Sequence, residues 1–128
     1  MNNKKVILVV DDDIELRQMY KIRLESGGYK VVEAGNGEEA MARAVEQKPD
    51  CILLDVMMPR VNGFDVLDIL KTTKSTKAIP VIILTALMQD DTKKRVKNSG
   101  AAGFLVKAEV VPSQVVDVID QVLNTKTL

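Results

Sequence analysis

Carboxylate, hydroxyl and ammonium side chains each follow directly after a short apolar run in this chain. Asp11 and Asp12 follow the first run, Asp55 the second, Thr85 the third and Lys107 the fourth. Clustered carboxylates repel one another and recruit a cation, and magnesium suits them because it also accepts phosphate oxygens as ligands. A hydroxyl and an ammonium beside that cation could hold further phosphoryl oxygens, and an aspartate could itself accept the phosphoryl group.

The apolar runs before these residues predict the elements that position them. Each run is short, continuous and rich in branched side chains, which is typical of parallel strands buried on both faces. In an open parallel sheet the binding site lies outside the carboxyl ends of the strands, where the strand order reverses. We therefore expect the five polar residues to converge on one patch.

Strand patterns alternate with helical patterns along the whole chain. A second strand is predicted over residues 29–33, and each of the five strands is followed by a helix, which indicates βαβ units in one α/β domain over residues 1–128. We expect a doubly wound three-layer sandwich around a five-stranded parallel sheet. The expected strand order is 2-1-3-4-5, which makes strands one and three neighbours.

Capping residues predict several helix boundaries. Asp13 can cap the first helix, and Gly27 can stop it. Asn36 opens an alanine-rich second helix, and Pro112 stands at a favoured first position of the last helix.

Composition narrows the possible classes of protein. The chain has 18 basic and 18 acidic side chains, and this balance gives no general attraction to nucleic acid or to an anionic membrane. No apolar stretch approaches the roughly 20 residues that span a bilayer. The chain has no histidine, which excludes Ser-His-Asp and Cys-His catalysis and histidine-ligated zinc, so any metal must be held by oxygen.

The single cysteine, Cys51, lies within an apolar run and is expected to be a small buried side chain rather than a nucleophile. It has no partner for an internal disulfide, which favours a reducing compartment. Residues 1–5 lead into the first strand without a cleavable apolar segment. We expect a cytoplasmic protein.

The polar residues belong to a wider pattern with a specific family resemblance. Its stretches are Val-Val-Asp-Asp-Asp at 9–13, Leu-Leu-Asp-Val-Met-Met-Pro at 53–59, Asn-Gly at 62–63, Leu-Thr-Ala at 84–86 and Gly-Phe-Leu-Val-Lys at 103–107. In order and separation this set resembles the receiver domain of two-component response regulators, over the whole chain. The resemblance implies a flavodoxin-like fold, of which the chemotaxis regulator is a known example.

The resemblance also implies roles for the acidic residues. Asp55 would accept a phosphoryl group from a phosphohistidine on a sensor histidine kinase or a histidine phosphotransfer protein. Asp12 would bind Mg²⁺ directly and Asp11 mainly through water, together with Asp55 and the backbone carbonyl of Met57.

Further residues would hold and sense the phosphoryl group. Thr85 and Lys107 would bind its oxygens, helped by the backbone amides of Met57 and Ala86. Phe104 stands where the family places an aromatic switch, whose ring turns inward when the Thr85 hydroxyl moves toward the phosphoryl group.

On this interpretation the protein is a signalling switch with slow self-phosphorylation and dephosphorylation, and not a metabolic enzyme. Its partners would be the kinase and a downstream effector, with a possible homodimer through the face formed by the fourth helix, fifth strand and fifth helix. The basic run at residues 92–97 could be a docking rim on that face or simply a solvated surface.

Plainer interpretations of the same residues stay open. Asp11 and Asp12 could be first-turn acids that complement a helix dipole, Thr85 and Lys107 could be ordinary strand-end residues, and Phe104 could be a core aromatic. The family itself also has rivals. An aspartyl phosphatase of the haloacid dehalogenase type, a flavin-binding relative with the same strand order, and a degenerate receiver that only binds partners are the alternatives.

One position departs from the receiver pattern. The family usually places a cis proline after the lysine, whereas Ala108 follows Lys107 here. Because a cis bond before a non-proline residue costs about 3 to 4 kcal/mol, we predict a trans peptide, or else a strained cis peptide that fixes the direction of the lysine side chain. We also expect the bulky Met57 and Leu87 to shield the acyl phosphate from water.

Overall fold

Strands and helices alternate along the chain in the computed structural model, which describes residues 4–56, 63–85, 90–107 and 111–125. The elements are β1 (Val6–Val10), α1 (Ile14–Ser26), β2 (Lys30–Ala34), α2 (Gly37–Gln47), β3 (Cys51–Asp55), α3 (Gly63–Thr72), β4 (Val81–Thr85), α4 (Asp90–Asn98), β5 (Gly103–Val106) and α5 (Pro112–Thr125). The second strand begins and ends one residue later than predicted, which is the usual uncertainty of a strand boundary.

All neighbouring strands of the sheet run parallel, in the order β2-β1-β3-β4-β5. The predicted fold class and strand order are therefore confirmed. Val10 of β1 pairs with Leu54 of β3, so the residues that follow these two strands emerge side by side. This is the switch point at which the sequence predicted a site.

Apolar side chains from both faces of the sheet form two cores, each covered by helices. On one face, the sheet packs against buried residues of α2, α3 and α4, namely Ala40, Ala44, Val66, Leu67, Leu70 and Val96. On the other face, it packs against buried residues of α1 and α5, namely Tyr20, Leu24, Val115, Ile119 and Leu123. Cys51 is fully buried, as predicted.

The predicted helix boundaries are confirmed where capping residues indicated them. Asn36 caps α2, and its side-chain oxygen accepts a hydrogen bond of 2.9 Å from the Glu39 N–H. Gly27 ends α1 by donating its N–H to the Arg23 carbonyl, and Gly28 follows with a φ of 95°, a left-handed conformation that favours glycine.

β5 is less buried than its apolar sequence predicted. Every residue of β3 and β4 is buried, whereas Phe104 in β5 is 47% exposed. β5 lies at the edge of the sheet and has a neighbouring strand only on its β4 side. The expectation that all four apolar runs are buried on both faces is therefore wrong for this strand.

Candidate functional site

The three aspartates that follow β1 differ in their structural roles. Asp13 caps α1, and its side chain accepts a hydrogen bond of 3.2 Å from the Leu16 N–H. Asp11 is fully buried, and its Oδ1 accepts a hydrogen bond of 2.9 Å from the Asp13 N–H. Asp12 is exposed at the same end of the strand. Because Asp13 provides the cap, helix capping does not explain Asp11 and Asp12.

Asp55 ends β3 directly beside these acids, as the predicted strand order requires. Its side chain is almost completely buried. One carboxylate oxygen from each of Asp11, Asp12 and Asp55 lies within 4.8 Å of the others. The structure therefore brings Asp55 next to two acids that lie far from it in the sequence.

Lys107 joins this acidic cluster from the end of β5. Its Nζ lies 2.8 Å from Asp55 Oδ2 and 2.9 Å from Asp11 Oδ2, and its side chain is only 16% exposed. Its backbone N–H donates a hydrogen bond of 2.8 Å to the carbonyl of Thr85. Thr85 is fully buried at the end of β4. Thr85 and Lys107 thus lie with Asp11, Asp12 and Asp55 at the carboxyl ends of the strands.

Burial and pairing act in opposite directions on the charged groups of the site. Burial raises the pKa of the Asp11 carboxyl, against the lowering effect of the Lys107 ammonium and the Asp13 N–H. Burial lowers the pKa of Lys107, but its close contacts with the carboxylates of Asp55 and Asp11 offset this and leave the pKa raised. Lys107 therefore stays charged at neutral pH, and an acidic cluster surrounds it.

The donor atoms of the site fit a divalent cation. Asp11 Oδ2 is buried and forms an ion pair with Lys107, but it accepts no well-directed hydrogen bond from the described residues. Three carboxylates and one ammonium leave an excess of negative charge when all are ionised. Oxygen-only donors of this kind suit magnesium. The cluster could therefore hold Mg²⁺.

The structure adds one site residue that the sequence pattern did not single out, Arg17, and gives a physical reason for another that it did, Gly63. Arg17 of α1 donates a hydrogen bond of 2.8 Å to the Asp11 carbonyl. Gly63 packs against the backbone at the end of β3, because a Cβ there would lie 2.2 Å from Val56 Cα and 2.8 Å from the Asp55 carbonyl oxygen. No short motif indicated the Arg17 contact. The Asn-Gly pair at 62–63 was part of the family pattern, but the sequence did not show why a glycine is needed there.

Other predicted residues lie elsewhere or outside the described residues. Phe104 is half-exposed, so its interpretation as a core aromatic is wrong. Met57, Ala86 and Leu87 lie outside the described residues, as does the peptide bond from Lys107 to Ala108. The proposed shielding, amide and carbonyl contacts and the trans bond therefore stay predictions.

A family model described as the response regulator receiver domain matches residues 7–120, which include all of these strand-end residues. The chain belongs to this receiver domain family. Its members are signalling switches of two-component systems, and this decides against the phosphatase and flavin-binding alternatives. Among the described residues of this receiver, no helix is long and apolar enough to cross a membrane.

Solved and curated relatives agree with this family assignment. A structure of the chemotaxis protein CheY4 of Vibrio cholerae superposes with a TM-score of 0.87 at 34% identity, and the match covers 94% of this receiver and 99% of CheY4. Protein PilH of Pseudomonas aeruginosa is 42% identical over 103 residues, which are 79% of this receiver and 84% of PilH.

Longer relatives match over part of their length. The phosphate regulon transcriptional regulatory protein PhoB of Pseudomonas aeruginosa is 41% identical over 103 residues, which are 80% of this receiver and 45% of PhoB. The chain thus spans less than half the length of PhoB and of three other curated regulators that it matches.

Proposed function

We propose that this receiver accepts a phosphoryl group on Asp55 from a phosphohistidine of a sensor histidine kinase or a histidine phosphotransfer protein. The observation that carries the proposal is the environment of the Asp55 carboxylate. Its Oδ2 lies 2.8 Å from the Lys107 ammonium, and the carboxylates of Asp11 and Asp12 lie beside it. Such a site supplies a nucleophile and positive charge to balance the charge of the incoming group.

The transfer exchanges one bond to phosphorus for another. A carboxylate oxygen of Asp55 attacks the phosphorus, the bond from phosphorus to the donor imidazole nitrogen breaks, and the imidazole keeps the electron pair and takes up a proton. Water later attacks the phosphorus of the acyl phosphate, which releases inorganic phosphate and restores the carboxylate. The proposed chemistry is limited to these two steps, in which the receiver promotes its own phosphorylation and its own dephosphorylation, and it involves no metabolic substrate.

Neighbouring residues would bind the oxygens of the transferred group. Lys107 would move its ammonium from the carboxylates to one phosphoryl oxygen, and Thr85, at the end of the adjacent strand, would bind another. The backbone amides of Met57 and Ala86 are proposed to assist. Lys107 and Thr85 already share a backbone hydrogen bond of 2.8 Å, which keeps the two strand ends together.

Mg²⁺ is the proposed cofactor. Asp11, Asp12 and Asp55 would hold it, with the backbone carbonyl of Met57 as a further ligand. The burial of Asp11 Oδ2 without a well-directed hydrogen bond from the described residues supports this assignment. When bound, the ion supplies positive charge that neutralises a phosphoryl oxygen.

Phosphorylation would switch a protein-binding face formed by α4, β5 and α5. Phe104 is proposed as the switch residue, since its ring is half-exposed at the sheet edge and borders a groove of about 440 Å³ between β5 and α5. Lys94 and Lys97 are exposed on α4, while Asp117 lines the groove on α5. Opposite charges on one face suit either a downstream effector or a symmetric homodimer.

We propose further that residues 1–128 form one receiver domain in the cytoplasm. The family match over residues 7–120 and the continuous five-stranded sheet support a single domain. Cys51 is buried and is the only cysteine, which suits a reducing compartment.

The test is phosphorylation by acetyl phosphate, followed by intact-mass measurement with and without Mg²⁺. The native chain and the control Asp65→Asn, which changes an exposed acid on α3, should each gain one phosphoryl group only when Mg²⁺ is present. Asp55→Asn should gain none. A native chain that stays unmodified would overturn the proposal and favour a degenerate receiver that acts through binding alone.

A further inference from the structure

Arg17 connects the carboxyl ends of β1 and β2 next to the acidic cluster. One guanidinium nitrogen donates a hydrogen bond of 2.8 Å to the backbone carbonyl of Asp11, and Nε donates one of 3.0 Å to Glu33 Oε1. The side chain is only 17% exposed. Because the guanidinium is planar and bonds to both partners at once, its position relative to Asp11 is well defined.

The chain leaves room for this guanidinium at Gly35. A Cβ at Gly35 would lie 3.1 Å from the Arg17 nitrogen that bonds to Asp11, which is closer than an ordinary contact. The backbone of Gly35 is not left-handed, so its conformation does not require glycine. The space needed by Arg17 explains the small residue at this position.

Asp11 is consequently held through most of its polar atoms. Its N–H donates a hydrogen bond of 3.1 Å to the Ala34 carbonyl, its carbonyl accepts from Arg17, and its Oδ1 accepts from the Asp13 N–H. These contacts set the backbone orientation at Asp11, and hence the direction of the remaining carboxylate oxygen. Partners behind a metal ligand commonly change metal affinity in this way.

We propose that Arg17 is a positioning residue for the divalent cation of the acidic cluster, acting through the Asp11 carbonyl. This inference rests on the proposed function, because it presupposes that the cluster binds Mg²⁺. The sign of the effect distinguishes positioning from charge. A guanidinium near a cation site repels the cation, so charge alone predicts tighter Mg²⁺ binding when Arg17 is neutralised. Positioning predicts the opposite.

The experiment measures Mg²⁺ affinity by isothermal titration calorimetry for the native chain, Arg17→Met and Lys21→Met. Lys21 is a matched control, because its Nζ lies 3.4 Å from Glu33 Oε2 and its loss removes the same unit of charge next to the same carboxylate. We expect Arg17→Met to weaken Mg²⁺ binding by about tenfold. Lys21→Met should bind Mg²⁺ as tightly as the native chain or slightly more tightly.

A second variant keeps the charge and disturbs only the geometry. Gly35→Ala crowds the guanidinium at 3.1 Å and should weaken Mg²⁺ binding in the same direction, and it decides the matter if Arg17→Met does not fold. Equal or tighter binding by the folded Arg17→Met, or by Gly35→Ala in its place, would overturn the positioning role. A native chain that does not bind Mg²⁺ would instead overturn the proposed function.

Discussion

The ammonium of Lys107 donates a hydrogen bond of 2.8 Å to Oδ2 of Asp55. The two residues are 52 positions apart in the sequence and meet because β3 and β5 end at the same edge of the parallel sheet. The same ammonium lies 2.9 Å from Asp11 Oδ2. The positive charge of Lys107 therefore lies where it balances the negative charges of Asp11 and Asp55.

Replacing Lys107 should separate metal binding from phosphorylation. Lys107→Met removes a positive charge that competes with the cation, so Mg²⁺ should bind at least roughly fivefold more tightly, as expected from a Coulomb energy of about 1 kcal/mol or more at this range. Labelling by acetyl phosphate should slow by roughly a hundredfold, since a donor to the phosphoryl oxygens is lost. Calorimetry and the rate of mass gain measure the two effects.

Lys30→Met is the control for that variant. Lys30 is the exposed first residue of β2 and pairs with Val6, the first residue of β1. It therefore lies at the amino ends of the strands, opposite to the acidic cluster. It should change neither the Mg²⁺ affinity nor the labelling rate. Weaker Mg²⁺ binding by Lys107→Met would show that the lysine orders the acids rather than competing for them.

Asp11→Asn should stabilise the metal-free fold at neutral pH. Burial raises the pKa of the Asp11 carboxyl above its ordinary value of 3.8, so the ionised group destabilises the folded chain. That cost is absent below pH 3.8, grows through the interval up to the folded pKa, and is complete above it. The expected gain at pH 7 is a rise in Tm of about 2 to 5 °C.

Thermal denaturation at several pH values measures this difference. The gain of Asp11→Asn over the native chain should shrink as the pH falls toward 4, and added Mg²⁺ should raise the Tm of the native chain far more than that of the variant. A variant less stable than the native chain at pH 7 would mean that the pairing of Asp11 with Lys107 outweighs burial.

Gly63→Ala should disrupt the end of β3. The added Cβ would lie 2.2 Å from Val56 Cα and 2.8 Å from the Asp55 carbonyl oxygen, and backbone atoms cannot move aside as the end of a flexible side chain can. We expect a loss of roughly 2 to 4 kcal/mol in the free energy of unfolding, measured by urea denaturation. Gly103→Ala is the control, because among the described residues its Cβ would meet only Val118 Cγ1, at 3.9 Å, and it should change stability by less than about 1 kcal/mol.

The two tyrosines should resist ionisation until the protein unfolds. Burial raises the pKa of Tyr20, and burial together with a hydrogen bond to Asp120 raises the pKa of Tyr29. Their contribution to stability is present below about pH 10 and is lost as the pH rises further. The chain has no tryptophan, so phenolate absorbance should report both groups cleanly.

Alkaline titration with circular dichroism in parallel tests this expectation. Phenolate absorbance should rise together with the loss of helical signal. We expect Tyr29→Phe to unfold at a lower denaturant concentration than the native chain at pH 8, since it removes the Asp120 contact. Free ionisation of both tyrosines near pH 10 in the folded state would contradict the raised pKa values.

The sheet and the convergence of its polar residues follow from one-dimensional patterns. A parallel strand buried on both faces requires an unbroken apolar run, and β1, β3 and β4 each show one. Parallel strands in one sheet also bring their carboxyl ends to the same edge, so Asp55 and Lys107 could be placed together from the sequence.

Other features depended on contacts across the folded molecule. The apolar run of β5 resembles the others, but its position at the sheet edge leaves Phe104 half-exposed. Arg17 reaches the Asp11 carbonyl only because α1, β1 and β2 lie at a particular distance, with Gly35 leaving space. Periodicity records which side of an element faces the core, whereas distances between packed elements are fixed only when the chain is folded.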